Sequence, residues 1–376
     1  MNLIMFRVLM VLSILSMTLL NSCNDKRDKL MESDSRVLLV YIGANNNLVS
    51  DAYNSINAME EGLVGLDADV YVYASLAGTT PKIYKIVADQ SQEIKSTVIK
   101  SYGDQDSASP QVMKQILLTM NAYAGSRPVG LVLWSHATNW LPNVGVKLMS
   151  FNEDRGSKTE LRDLQTVIPS GLDFLMFDAC SMASVEVLYQ LREKAKYTIA
   201  SPAEVLSTSM PYHLVLKDLF DPNLERGLRS AAATYFNFYN QLTGLYQSAT
   251  IAVVNNAYWS DLANNVHIAL NKSPLTTVYR DNLQRLDFDE KSLSAGFDFL
   301  DFVHQNMLPS ETTAIEATVS KLVIYKANTA RFLGKPILRY SGLSCYVPND
   351  LNKWIHPYYN TLQWSKDSGF NSFVKE

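Results

Sequence analysis

The stretch Leu172–Pro202, LDFLMFDACSMASVEVLYQLREKAKYTIASP, decides the fold. Leu172–Phe177 reads as a strand whose apolar run, Phe174–Phe177, stops at Asp178, as a strand buried on both faces does. SVEVLYQLREKA (184–195) carries the apolar spacing of a helix, and YTIASP (197–202) is the next strand. Between strand and helix stands Cys180, in a chain with only three cysteines. Such junctions hold either a reactive side chain or merely a small one.

The same alternation extends outward. RVLLVYIG (36–43), ADVYVYASLAG (68–78) and Val129–Trp134 read as further strands. ANNNLVSDAYNSINAMEEGL (44–63) reads as a helix, with Asn47 as its N-cap and Leu48, Ala52, Ile56 and Met59 on one face. SPQVMKQILLTMNAYA (109–124) opens with a Ser cap and a Pro at the first helical position. PKIYKIVAD (81–89) and EIKSTVIKSYG (93–103) alternate polar with apolar, as a hairpin or sheet edge does. Strands alternating with helices argue for an α/β protein with a mainly parallel sheet flanked by helices.

Beyond about residue 222 the texture changes to a long helix (225–247), a strand (249–256) and a helix (258–272). After a polar stretch, LGKPILRYSGLSCYVPND (333–350) reads as more strand. No Gly/Ser-rich or Pro-rich linker separates the halves. The expected organisation is a core over 36–221 with a C-terminal α/β elaboration, 222–376, packed on it.

The N-terminus is of another kind. MNLIMFRVLMVLSILSMTLLNSC has one basic residue, Arg7, and an apolar stretch from Val8 to Leu20 that is short for a bilayer span and placed like an export signal. Leu20-Asn21-Ser22-Cys23 resembles a bacterial lipobox. It predicts a signal peptide over 1–22, lipidation of Cys23 and a polar tether over 23–35. The protein is then expected in the bacterial cell envelope, lipid-anchored and exposed to the periplasm or the cell surface. The net charge of −4, from 33 basic and 37 acidic residues, gives no bulk reason to expect nucleic acid. With 47% apolar and 19% charged residues the remainder is globular in composition.

In an open parallel sheet, ligands bind outside the carboxyl ends of the strands. His136 follows Trp134 and Cys180 follows Phe177, so if those strands are neighbours the two side chains face each other across one edge. An imidazole beside a thiol takes its proton or stabilises its thiolate. Cys180 is also expected to open a helix, whose N-terminal field favours the anion. The competing reading is a small buried cysteine and a structural histidine. Cys345 reads as a small core residue, and His213, His267, His304 and His356 lie at no predicted strand end. Cys180 and Cys345 lack zinc-site spacing, and FNEDRG (151–156), though acidic, lacks that of an EF-hand. No cofactor is expected, and the acidic segment leaves dependence on calcium open.

At these residues the chain resembles a known family. LVLWSHATNWLP (131–142), DFLMFDACSMASVEVLYQLREKAKYTIASPAEV (173–205), LLVYIGANNNLVSDAYNSINAMEE (38–61) and YSGLSCYVP (340–348) are similar to segments of the clostripain family of caspase-like cysteine peptidases. The resemblance implies a caspase-like α/β sandwich, Cys180 as nucleophile and His136 as general base and acid. It further implies an endopeptidase of peptide or protein substrates, commonly cutting after Arg or Lys. Asp178, two residues before the nucleophile, is placed to pair with that basic side chain, or to cap the helix expected from about Ser181. The backbone N–H groups of Ala137 and Cys180 are expected to bind the oxyanion. Family members usually carry Gly where Ala137 stands. A turn needing positive φ there would favour an inactive relative that serves as a binding lipoprotein. The connection 145–164 holds Lys147, Arg155, Lys158 and Arg162, any of which an enzyme with basic preference could cut in itself. No G-x-S-x-G elbow supports a serine hydrolase.

Overall fold

The computed structural model describes residues 35–141, 151–288 and 296–375. Cys23, the signal peptide, the tether up to residue 34, and Lys147 lie outside the described residues. The strands in chain order are β1 (Val37–Ala44), β2 (Asp69–Leu76), β3 (Lys82–Lys85), β4 (Thr97–Ser101), β5 (Val129–Trp134), the hairpin β6 (Phe151–Asp154) and β7 (Ser157–Thr159), then β8 (Leu172–Asp178), β9 (Ala195–Ala200), β10 (Thr250–Asn255), β11 (Phe297–Asp298) and β12 (Val323–Asn328). Nine of them form one sheet in the order β12-β10-β9-β8-β5-β1-β2-β3-β4. The central five, β2 to β9, are parallel, and the flanking strands antiparallel.

The apolar runs form strands because both faces of the sheet are covered. Along β1, Val37, Leu39 and Tyr41 enter the core on one face, and Leu38, Val40 and Ile42 that on the other. On the second face lie α1 (Val49–Gly62) and, later in the chain, Tyr212–Leu219 and Leu224–Asn240. The first face carries α2 (Pro110–Ala124), α3 (Leu161–Val167), α4 (Val185–Leu191) and the C-terminal helices. Trp364, fully buried, packs edge-on against Tyr189, Trp259, Phe299 and Phe370 and so fastens the C-terminus to this layer.

The late part of the chain does more than pack on a core ending near 221, for it contributes β10 and β12 to the main sheet. The stretch 333–350, expected as strand, instead forms only two-residue pairings around Pro336 and Gly342. Pro cannot donate to a ladder, and at Gly342 (φ 90°) a Cβ would meet Val323, Lys326 and Ala252 at 3.0–3.3 Å. The edge strand β12 lies in what reads as a polar mixed stretch. It follows the helix Pro309–Leu322 with no Gly or Pro between them to mark the change.

Candidate active site

β5 and β8 are neighbours, and Trp134 is in register with Asp178. His136 and Cys180 therefore each stand two residues past a paired position, at the same level of the carboxyl edge. Both line a cleft of about 220 Å³ together with Asp178, Glu204, Val205 and Leu206.

The chain just after Cys180 is a turn. Ser181 takes φ 60°, a conformation disfavoured for a residue with a Cβ. It is held there by Ser181 N–H to Ala203 O at 2.7 Å and Ala183 N–H to Ser201 O at 2.9 Å. Helix α4 begins only at Val185, and Ser184 caps it by accepting from Val187 N–H. Cys180 thus does not open a helix and Asp178 does not cap one. The helix-terminus field expected at the thiol falls off within one turn and cannot be counted for Cys180.

What surrounds the thiol is the segment after β9. Cys180 Sγ accepts from Val205 N–H at 3.3 Å and donates to Val205 O at 3.7 Å. Burial pushes the thiol up to about 11, against the Val205 bond, and the negative charges of Glu204 and Asp178 add to the rise. His136 moves the other way: burial lowers it below the usual imidazole value, with Glu153 opposing. At neutral pH the pair is thiol plus imidazole. His136 Nε2 donates to Asn47 Oδ1 at 2.8 Å.

Asp178 is 5% exposed and lines the cleft. Its Oδ2 accepts from Tyr212 OH at 2.8 Å, from Met210 N–H at 3.2 Å and from Ser209 Oγ. Ser209 also accepts from Trp134 Nε1 at 2.8 Å. Burial raises the carboxyl above its ordinary value despite these three donors.

Ala137 is not among the residues of positive φ; the left-handed position of this turn falls to Asn139, at 64°. Asn tolerates that region better than most residues. Asn139 Oδ1 accepts from Ser184 Oγ at 2.5 Å, which ties the turn after His136 to the segment after Cys180. The backbone need for Gly at 137 is thereby absent.

Sequence reasoning missed Asn47, read as a helix cap although the N-cap position is Leu48. It also missed the 204–212 segment, whose polar text carries no strand or helix period. The run Asn45-Asn46-Asn47 at a strand end was the one available signal. FNEDRG became the β6–β7 hairpin, where Asp154 binds Asn45, Ser75, Ser107 and Arg155. Among the described residues no group of three or more His, Cys, Asp or Glu is placed to hold a metal ion. Arg155 is fixed in that hairpin and paired to Asp104, Lys158 lies in β7, and Arg162 in α3 stacks on Tyr358. Lys158 and Arg162 are thus in regular structure, which a protease cuts poorly, while Arg155 stands exposed in the hairpin turn.

Similarity to known proteins agrees with this arrangement. The sequence profile of the clostripain family matches residues 40–376. The fold is shared with an inactive zymogen C11 protease from Parabacteroides distasonis, 27% identical, with a TM-score of 0.77 over 89% of this chain and 98% of that one. It is shared equally with a secreted C11 cysteine protease from Bacteroides thetaiotaomicron, solved with an irreversible peptide inhibitor, 25% identical, TM-score 0.78, covering 90% and 99%. No curated protein matches significantly. With a profile match over nearly its whole length and a caspase-like sheet, the chain belongs to the clostripain family and is a cysteine peptidase, a hydrolase.

Proposed function

We propose that this protein is an endopeptidase that works through His136 and Cys180, cuts after Arg or Lys, and is held at the cell envelope by a lipid on Cys23. The carrying observation is the register of β5 on β8, which brings the two side chains to one cleft.

The chemistry follows from the protonation states. As Sγ attacks the carbonyl carbon, His136 takes the thiol proton. The oxyanion is received by the N–H groups of Cys180 and Ala137. When the C–N bond breaks, His136 returns the proton to the leaving amine, and a thioester remains. Water, losing a proton to His136, attacks it; the acid product leaves and the thiol is restored. The thiol also donates weakly to Val205 O at 3.7 Å, a bond given up as His136 takes the proton.

Asp178 supports basic specificity. Its three hydrogen bonds all fall on Oδ2, so Oδ1 is the atom that meets an incoming guanidinium or ammonium. A panel of fluorogenic peptides differing only in the residue before the cleaved bond tests the reading. Arg and Lys substrates are expected to exceed neutral ones by on the order of 100-fold in kcat/KM. A flat panel, with no labelling by thiol-directed Arg or Lys probes, would instead favour the binding-lipoprotein reading, motivated by the capped thiol.

Among the described residues no helix is long and apolar enough to cross a membrane. The anchor proposed is the acyl group alone. Cys23→Ala is expected to leave the precursor unprocessed and to move the mature domain out of the membrane fraction. Normal processing and retention in that variant would remove the lipid from the proposal.

A further inference from the structure

The connection from β1 to α1 reads Asn45-Asn46-Asn47, and the three side chains have separate tasks. Asn45 Nδ2 donates to Asp154 Oδ1 at 2.7 Å, and Asn46 Nδ2 donates to Glu153 O at 2.7 Å. Asn46 Oδ1 also accepts from Leu48 N–H at 2.9 Å. The first two residues so fasten the connection to the β6–β7 hairpin. The hairpin is itself fixed, because Asp154, 1% exposed, accepts from Ser107 N–H at 2.7 Å. At Gly43 the approach is so close that a Cβ would meet Asn152 Oδ1 at 1.8 Å.

Asn47 is exposed and does not cap α1. Its Oδ1 stands 2.8 Å from His136 Nε2, and a carbonyl oxygen only accepts. We propose that Asn47 is a positioning residue for His136, holding the ring with a proton on Nε2 so that Nδ1 is the atom left to take the thiol proton. This inference rests on the His136–Cys180 assignment above. The bond selects one neutral tautomer and one ring orientation before reaction, which is the work a third group does in nucleophile–base–orienter arrangements. When the ring becomes imidazolium, the same bond is charge-assisted and strengthens. Its contribution belongs to the transition state more than to substrate binding, and so to kcat more than to KM. The other titratable groups around the ring are Glu153 on β6, Asp178 at the end of β8, Cys180 just beyond it, and Glu204 in the segment after β9.

The test compares Asn47→Ala and Asn47→Asp, with kcat and KM across pH and the His136 ring titrated by NMR in a Cys180→Ala background. Asn47→Ala is expected to lower kcat on the order of 10- to 100-fold with KM little changed. It should move the acid limb of kcat/KM to lower pH, because the charged ring loses an acceptor. Asn47→Asp should restore most of the rate and move the limb to higher pH, because a carboxylate favours imidazolium. The ring titration should shift in the same opposite directions. An unchanged rate and pH profile in Asn47→Ala would overturn the inference. So would a fall in rate with an unmoved limb and a lowered melting temperature, which marks a structural role alone. If Cys180→Ala keeps its activity, the dyad assignment fails instead, and the two failures are told apart.

Discussion

Cys180→Ala and His136→Ala are each expected to remove nearly all peptide hydrolysis, with kcat falling on the order of 10⁵–10⁶-fold. The double variant should be little slower than either, because the thiol and the imidazole act as a unit and the second deletion has nothing left to remove. Active-site-titrated kinetics on an Arg-containing fluorogenic peptide would measure this. Losses that multiply, or a single variant that retains rate, would refute the dyad. The fold should persist, since Cys180 Sγ bonds to the Val205 backbone and the His136 side chain to the exposed Asn47, neither of which holds core elements together. Chemical reactivity offers a second reading of the same state. A thiol at about 11 is ionised to roughly one part in 10⁴ at pH 7. Simple alkylating agents should therefore label Cys180 slowly, and substrate-like probes that bring an electrophile against Sγ with His136 as base should label it fast.

The second large effect is expected at Asp178. A buried carboxylate whose folded value lies above its ordinary one binds more protons in the native state than unfolded. Its contribution to stability is present at low pH and is lost as pH rises above the ordinary carboxylate range. At neutral pH the charge is thus carried at a net cost, even with Ser209, Met210 and Tyr212 donating to it. Asp178→Asn, nearly the same shape without the charge, should keep the fold, flatten that pH dependence and lose Arg/Lys preference by on the order of 100-fold, equivalent to ~3 kcal/mol of charge-assisted bonding. Asp178→Ala should behave differently. It strips three buried donors of their acceptor, at about 1–3 kcal/mol each, and should lower the melting temperature markedly. Retained basic preference in Asp178→Asn would show that the carboxylate serves the 209–212 segment and not the substrate.

How much of this was legible beforehand depends on the residue. The central strands announce themselves because they are buried on both faces, so β1 and β5 read as unbroken apolar runs and β8 as one broken only at Asp173 before it ends at Asp178. Their carboxyl ends then locate His136 and Cys180 without any tertiary information beyond the neighbour rule for parallel sheets. β12 was hidden because β-branched residues continue from the preceding helix without punctuation. The helix after Cys180 was anticipated too early, since Ser181, Met182 and Ala183 fit helical composition but Ser181 and Ala183 are committed to bonds with Ala203 and Ser201. Asn47 and Val205 act through one side-chain oxygen and one peptide group, and contacts of that kind across the fold leave no period in a sequence.

The direction of β1 sets the start of the described chain and the cleft at opposite ends of the sheet. The chain enters the sheet at Val37, the amino edge, and the cleft lies at the carboxyl edge, a strand length of about 25 Å away. Residues 23–35 can extend at most about 45 Å from the lipid proposed on Cys23. Leash and blade thus leave the body at opposite poles. An anchor at Cys23, as proposed, would therefore attach at the end of the sheet remote from the cleft and leave the cleft open to substrates in the surrounding solution.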